Sequence, residues 1–222
     1  MDNSIRKAVL WDMDGTLIDG YELHFRSWIK AFGDSAPNFD REIFRLGYGS
    51  TNEVVIPFYL GYEPSPEEYE RINIGKEAAF RAEVADEAAP FPGVVNWLAW
   101  VKAQGHAQAI ASSAPIENIE AILQAHDLHK YFDLYVSGVG LPSKPAPDIF
   151  LEAARRLGSA PNYAIVMEDA RQGLAAGRAA GMVTIGLQNV NQLQLHEADM
   201  IIPDYLGDPA EILGPFLARM DA

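Results

Sequence analysis

The sequence predicts an α/β fold, a doubly wound parallel sheet that carries an inserted helical domain, and two observations lead to this prediction. Short apolar runs rich in Val, Ile and Ala alternate with helical patterns, and they cover residues 7–12, 107–112, 133–137, 163–168 and 182–187. Strands that alternate with helices are typical of a parallel sheet covered on both faces. The second observation is that residues 20–89 break the alternation, which indicates a helical unit inserted after the first strand.

Proline and glycine mark the ends of the helices between the later strands. Helices are predicted over 94–103, 116–125 and 148–157, each directly after a proline or a Pro-Gly pair. Proline favours the first turn of a helix and glycine its C-terminal end, and Gly105 and Gly158 follow the first and third of these helices.

The inserted unit is predicted to contain four helices, over residues 21–32, 39–46, 52–60 and 66–85. We place Pro57 at a kink or in the first turn of a shorter helix. Asp19-Gly20 is predicted to flex on entry, and the prolines of 90–93 give a stiff return. The predicted domains are a helical unit over 20–89 and a core made of 1–19 and 90–222.

Composition narrows the functional classes. The 222 residues carry a formal net charge of -14. This charge argues against nucleic-acid binding, because a protein that binds a polyanion needs a basic surface. No apolar stretch approaches the roughly 20 residues of a membrane span, and no signal-type segment is visible at the N-terminus. With no cysteine, the chain fits a reducing compartment. We expect a cytoplasmic protein, monomeric or a small homo-oligomer.

The most informative pattern is Asp12-Met13-Asp14-Gly15-Thr16, at the end of the first apolar run. Residues i and i+2 of a strand face the same side, so the two carboxylates can address one small space, and Gly15 lets the backbone turn sharply. One carboxylate can attack and the other can transfer protons. An aspartate-rich turn without chemistry is the alternative for this short pattern taken alone.

Three further features lie at or just past strand ends: Ser112-Ser113, Lys144 in Lys-Pro-Ala-Pro-Asp, and Glu168-Asp169. In order and spacing, the four motifs strongly resemble those of the haloacid dehalogenase-like (HAD) superfamily of phosphotransferases, and the resemblance covers nearly the whole chain. It implies a HAD-like Rossmannoid core with a helical cap over the inserted segment. Ala170 departs from the family's usual Ser, which puts one hydrogen bond near the site in doubt.

The resemblance also implies residue roles. Asp12 is the nucleophile that forms an aspartyl-phosphate, and Asp14 is the acid and base. An attacking carboxylate and a phosphoryl group are both anionic, so a divalent cation is expected, and carboxylate and carbonyl oxygens suit Mg²⁺. The predicted ligands are Asp12, the backbone carbonyl of Asp14, Asp169 and Glu168. The predicted phosphate contacts are Ser112, Ser113, Lys144, Gly15 and Thr16, with Ser112 and Lys144 also assigned to catalysis.

Each of these later motifs has a plainer alternative. Ser112 or Ser113 could cap the following helix, with Ser113 the better candidate. The acidic pair could favour a helix N-terminus electrostatically, and Lys144 could be a solvated surface lysine.

A cap inserted after the catalytic aspartates can exclude water when it closes and is expected to select the substrate. Its start, Tyr21 to Trp28, resembles that of β-phosphoglucomutase, which places His24 at a catalytic linker position. Lys76 matches a cap lysine of the family, although a solvated helix face explains it equally well. The predicted cap contacts are His24, Tyr21, Arg26 and Lys76.

The sequence favours a phosphatase over a phosphomutase. The mutase pattern S-x-S-K-N after the second motif reads Ser-Ser-Ala-Pro-Ile here, and the expected cap arginine is not visible after Gly47. Asp14, which dehalogenating relatives lack, favours phosphate-ester chemistry. We therefore predict a Mg²⁺-dependent phosphatase acting on a small phosphorylated metabolite such as a sugar phosphate. A β-phosphoglucomutase-like enzyme and a catalytically idle phosphate-binding regulator are the alternatives.

Overall fold

The computed structural model describes residues 6–188 and 197–220. Its main sheet has six parallel strands in the order β5-β4-β1-β6-β7-β8. The strands are β1 (Ala8–Trp11), β4 (Ala107–Ser112), β5 (Leu134–Ser137), β6 (Ala164–Glu168), β7 (Val183–Leu187) and β8 (Met200–Ile202). The first strand therefore lies inside the sheet, between the strands that end in the second and fourth motifs.

Helices cover both faces of this sheet. Alternate residues of β1 enter two separate apolar clusters, with Val9 and Trp11 in one and Ala8 and Leu10 in the other, as the two-residue period of a strand requires. The first cluster also receives side chains of α5 (Val94–Ala103), α6 (Ile116–Ala125) and α9 (Pro209–Arg219), and the second those of α7 (Asp148–Leu157) and α8 (Arg171–Ala179). The predicted doubly wound fold is confirmed.

The inserted segment folds into α1 (Tyr21–Phe32), α2 (Arg41–Gly47), α3 (Asn52–Leu60) and α4 (Pro66–Glu87). Asp40 accepts hydrogen bonds from the first backbone amides of α2, and Ser65 from one of α4, which fixes where these helices begin. Aromatic side chains from α1, α2 and α3 form a third apolar cluster of their own. We call these four helices and the segments that join them the cap.

Two details of the cap differ from expectation. Pro57 lies inside α3, so the alternative in which it begins a shorter helix is wrong. The two linkers pair as a short antiparallel ribbon, β2 (Ile18–Asp19) with β3 (Ala89–Pro90), with Ile18 opposite Pro90. The entry segment is therefore hydrogen-bonded to the return segment.

Candidate active site

The four motifs meet at the carboxyl ends of three neighbouring strands. Asp12 follows β1, Ser112 ends β4, and Asp169 follows β6. The backbone amide of Asp12 donates to the carbonyl of Met167 at 3.0 Å, which extends the ladder one residue beyond the strands. Crevices at this end of an open α/β sheet are where ligands bind, because the connections leave the strands in opposite directions.

Gly15 is required by the close approach of Asp169. Its φ is +88°, a conformation that favours glycine, and a Cβ there would lie 2.2 Å from Oδ2 of Asp169. The hydroxyl of Thr16 donates to Oδ1 of the same carboxylate at 3.3 Å. The turn after the tetrad therefore brings the first and fourth motifs together.

Lys144 lies at the centre of the buried charges. Its Nζ is 2.6 Å from Oδ1 of Asp12 and 2.8 Å from Oε1 of Glu168, and it also donates to the carbonyl of Ala111 at 3.3 Å. All three charged side chains are buried, so the solvated-surface alternative for Lys144 is wrong.

Asp12, Glu168 and Asp169 form a carboxylate cluster whose oxygens lie within 4.8 Å of one another. Three buried acids face the single ammonium of Lys144, which leaves an excess of negative charge. Hard oxygen donors at this spacing fit Mg²⁺. Asp14 is not one of these three carboxylates, and its Oδ1 contacts His24 instead, which leaves its backbone carbonyl as the expected ligand.

The pKa values of the cluster record this crowding. Burial raises the pKa of Asp12 to about 7, although Lys144 opposes the shift. Burial and the neighbouring carboxylates of Glu168 and Asp12 also raise the pKa of Asp169 well above its usual range. Burial would lower the pKa of Lys144, but the two acids it contacts outweigh that effect and raise it. The lysine is therefore a permanent cation that favours the ionised form of Asp12.

Asp14 contacts the cap directly. Its Oδ1 lies 2.9 Å from Nε2 of His24 on α1, and the imidazole stacks on Phe80 of α4 with ring centroids 4.1 Å apart. The expected acid and base is thus oriented by a cap residue.

The hydroxyls of the second motif have specific partners. Oγ of Ser112 accepts from the amide of Ala114 at 3.1 Å, and Oγ of Ser113 donates to the carbonyl of Gly49 in the cap at 2.8 Å. The interpretation of Ser113 as a helix cap is wrong, because α6 begins after Pro115 with no side-chain cap. Its hydroxyl instead joins the core to the cap.

A cleft lies between the core and the cap. Its lining includes Asp14, His24, Tyr48, Lys76, Glu77 and Ser113. His24 and Lys76 are thus where cap contacts were predicted, and the solvated-face alternative for Lys76 is wrong because that residue is buried.

Two predicted cap contacts lie outside this lining. Arg26 is drawn to the surface by ion pairs with Glu83 and Glu87, which lie one turn apart on α4. The ring of Tyr21 packs behind the cleft against Phe44 and Tyr48. Substrate contacts by Arg26 and Tyr21 stay predictions, since the structure gives both side chains partners within the cap.

Sequence reasoning missed three polar residues here. Tyr48 carries a buried hydroxyl that makes no hydrogen bond with any described residue, and Glu77 joins Lys76 to Asn118 of α6. The one available signal was the adjacency of Glu77 to Lys76 in the chain.

Within the described residues, every helix is too short or too polar to cross a bilayer.

The fold and the site define a hydrolase of the HAD type, and comparison with known proteins agrees. The family model of the haloacid dehalogenase-like hydrolases matches residues 6–181. The chain belongs to this family, which confirms both the predicted family and the predicted class of hydrolytic enzyme.

Individual relatives carry more specific names. The chain is 32% identical to the probable phosphatase IndB of Dickeya dadantii, over 95% of this chain and 93% of that protein. It is 30% identical to a β-phosphoglucomutase of Mycobacterium bovis, over 89% of each. A solved variant of CbbY from Rhodobacter sphaeroides, in complex with xylulose-(1,5)bisphosphate, superposes with a TM-score of 0.81 at 29% identity, covering 90% of this chain and 95% of that one.

Proposed function

We propose that this hydrolase is a Mg²⁺-dependent phosphatase that acts on a small phosphomonoester, a sugar phosphate or similar polyol phosphate, through an aspartyl-phosphate. The observation that carries the proposal is the buried cluster of Asp12, Glu168 and Asp169 around Lys144, with Asp14 beside it. Negative charge concentrated in this way needs a cation, and phosphoryl transfer uses one.

The residues present fit Mg²⁺. Asp12, Asp169 and the carbonyl of Asp14 would hold it, with Glu168 as a further ligand or as the acceptor for metal-bound water. When bound, the ion neutralises negative charge on the transferred phosphoryl oxygens.

In the first chemical step, an Oδ of Asp12 attacks phosphorus, and a P–O bond forms as the ester P–O bond breaks. Asp14 gives its proton to the leaving oxygen. In the second step, Asp14 takes a proton from water, the water oxygen attacks phosphorus, and the acyl phosphate bond breaks to release phosphate and restore the Asp12 carboxylate. The 2.9 Å contact with His24 holds Asp14 for both transfers.

Lys144 has a supporting electrostatic role in this scheme. Its ammonium lies 2.6 Å from the nucleophile and stays positive throughout, so it favours the ionised carboxylate that must attack. The Ser112 hydroxyl, at the end of the neighbouring strand, is the proposed phosphate contact on the other side.

We further propose that residues 20–89 act as the specificity domain and that residues 1–19 and 90–222 form the catalytic core. The cap provides His24, Lys76 and Glu77 to the cleft, while the core provides Asp14 and Ser113. The substrate's organic part would therefore meet mainly cap side chains.

A phosphomutase is the second candidate, and one observation favours it. His24 contacts Asp14 from the linker position expected for the mutase, and a β-phosphoglucomutase is among the relatives. Against it stands the sequence after Ser112, which lacks the lysine and asparagine of the mutase pattern.

The test is an activity screen on phosphate esters with and without Mg²⁺, following free phosphate and glucose 6-phosphate separately. β-Glucose 1-phosphate, with and without a priming bisphosphate, is included, and Asp12→Asn serves as the control. Metal-dependent release of phosphate supports the phosphatase. Glucose 6-phosphate formed with little free phosphate would establish the mutase, and phosphate binding without any turnover would indicate the regulator.

A further inference from the structure

The cap end of the cleft contains a buried ion pair. Lys76 and Glu77, neighbours on α4, line the same cleft as Asp14, and each is about 95% buried, with 4% and 5% of their surfaces exposed. Nζ of the lysine lies 2.9 Å from Oε1 of the glutamate. A buried charge of this kind needs partners on every side, so its surroundings determine what a ligand can find there.

Both oxygens of the Glu77 carboxylate have donors. Oε1 accepts from Lys76 and, at 2.7 Å, from Nδ2 of Asn52 on α3, while Oε2 accepts from Nδ2 of Asn118 on α6. Burial alone would raise the pKa of Glu77, but the charge of Lys76 and the hydrogen bonds from Lys76 and Asn52 lower it. The carboxylate is therefore a fixed negative charge.

Two aromatic rings lie near the Lys76 ammonium. It lies 5.2 Å from the ring centroid of Trp28 and 5.4 Å from that of Phe80. Ring faces stabilise a cation without neutralising it, so Glu77 is the group that matches the charge. Glu77 therefore cancels the positive charge that a second anion would need.

The other charges of the lining are matched in the same way. Among the described residues that line the cleft, the carboxylates and the nitrogen bases are Asp14, His24, Lys76 and Glu77, and they form two pairs. A phosphate group carries about -1.5 to -2 at neutral pH. A phosphate group at the cap end of the cleft would have no unpaired cation to bind, and the Glu77 carboxylate would repel it.

An uncharged hydroxyl meets a different environment. The Tyr48 hydroxyl in this cleft is buried and makes no hydrogen bond with the described residues. Burial, together with the nearby carboxylates of Asp14 and Asp169, raises the pKa of Tyr48, so the group stays protonated and can donate. A sugar or polyol oxygen would satisfy it.

We propose that Glu77 is a specificity-determining residue, which cancels the charge of Lys76 and so makes the cap end of the cleft select an uncharged, hydroxyl-bearing group. The enzyme then prefers monophosphates to bisphosphates. The preference among substrates rests on the proposed phosphatase function, whereas the effect of Glu77 on phosphate binding does not require turnover.

The binding test uses inorganic phosphate as the probe, with Mg²⁺, on the full chain. Calorimetry gives the number of phosphate ions bound, and a crystal soaked with phosphate shows where each one lies. The parent should bind one ion at the catalytic cluster. Glu77→Gln should gain a second ion on Lys76, tighter than any second ion in the parent by about tenfold or more, the scale of one charge-assisted hydrogen bond. Glu70→Gln, an equal charge change on the exposed face of α4, should gain none.

A second measurement compares kcat/KM for fructose 1-phosphate and fructose 1,6-bisphosphate. The ratio of the two should shift toward the bisphosphate by about tenfold in Glu77→Gln and stay constant in Glu70→Gln. Should Glu77→Gln fail to fold, the parent alone decides, since a second phosphate on Lys76 in the parent would overturn the proposal and its absence would support it.

The two proposals fail differently. Absence of ester hydrolysis by the parent would remove the proposed function yet leave the phosphate stoichiometry to be measured. A parent that hydrolyses monophosphates but already holds phosphate on Lys76, or a Glu77→Gln protein that folds and gains no second ion, would refute the role of Glu77 alone.

Discussion

Replacing Gly173 with alanine would place a methyl group where the Glu168 carboxylate lies. An ideal Cβ at this position in α8 falls 1.6 Å from Oε1 and 1.9 Å from Cδ of Glu168. The backbone of Gly173 does not require glycine, since its φ is not positive. The steric conflict is therefore with one side chain, and that side chain contacts Lys144 at 2.8 Å.

Two effects of opposite sign set the magnitude. Alanine in place of glycine stabilises a helix by roughly 0.5–1 kcal/mol, whereas overpacking a close-packed interior costs about 1–3 kcal/mol. Because Glu168 is 1% exposed and also accepts from the amide of Ala170 at 2.7 Å, it has little room to move. We expect a net loss of about 1–2 kcal/mol in the free energy of unfolding.

The matched control is Gly75→Ala in α4. There the nearest atom to the added Cβ is Cβ of Ala31 at 3.9 Å, an ordinary contact, so only the helical gain of about 0.5–1 kcal/mol applies. Urea unfolding followed by circular dichroism should separate the two variants by about 1.5–3 kcal/mol with an unchanged slope.

Activity provides the second readout of this substitution. A displaced Glu168 disturbs the residues beside the cation, and the phosphatase kcat/KM of Gly173→Ala should fall about 10–100-fold, the usual scale for residues that orient metal ligands. A Gly173→Ala protein as stable as Gly75→Ala and as active as the parent would refute the reasoning, because Glu168 could not then lie against this glycine.

Three further predictions concern the carboxylate cluster. Asp12→Asn should abolish phosphate release without unfolding the protein, since an amide cannot serve as this nucleophile; substantial turnover by clean protein would contradict the aspartyl-phosphate. Asp169→Asn should raise the melting temperature of the Mg²⁺-free protein, because it removes one of three crowded carboxylates. It should also abolish the stabilisation of the protein by added Mg²⁺, and an unchanged response to Mg²⁺ would exclude Asp169 as a ligand. Burial, partly opposed by Lys144, raises the pKa of the Asp12 carboxyl to about 7. The contribution of Asp12 to the stability of the metal-free protein is therefore fully present below the ordinary aspartate pKa of about 3.9 and is lost as the pH rises through about 7. Without metal, the urea midpoint should fall more across that pH window in the parent than in Asp12→Asn.

The core and its motifs could be predicted from sequence because each depends on local rules. A buried parallel strand gives a continuous apolar run, and a catalytic residue just past its end needs no long-range information to be placed at the sheet edge. The C-terminal elements escaped prediction for physical reasons. Strand β8 has only three residues, and Gly214 and Pro215 inside α9 are residues that argue against a helix.

The contacts between core and cap could not be read from sequence, because they depend on how two units pack. Ser113 is a residue type that often caps a helix N-terminus, yet its hydroxyl donates to the carbonyl of Gly49, 64 residues earlier. The amide of Thr51 likewise approaches the hydroxyl of Ser143 at 3.5 Å. A serine hydroxyl can cap a helix N-terminus or bind a distant carbonyl equally well. Only the position of the inserted helices relative to the core decides which of the two Ser113 does.

Lys76 shows why an assignment made by family position needs its neighbours. In a helix, residues i and i+1 do not normally face one another, so sequence offers little reason to pair Lys76 with Glu77. The structure nevertheless pairs them: Trp28 and Phe80 lie near the ammonium, and two asparagines, Asn52 and Asn118, donate to the glutamate. A lysine free to bind phosphate and a lysine already neutralised have the same letter in the sequence. The difference between accepting a bisphosphate and rejecting it therefore depends on the residue after the lysine and on two asparagines from other helices.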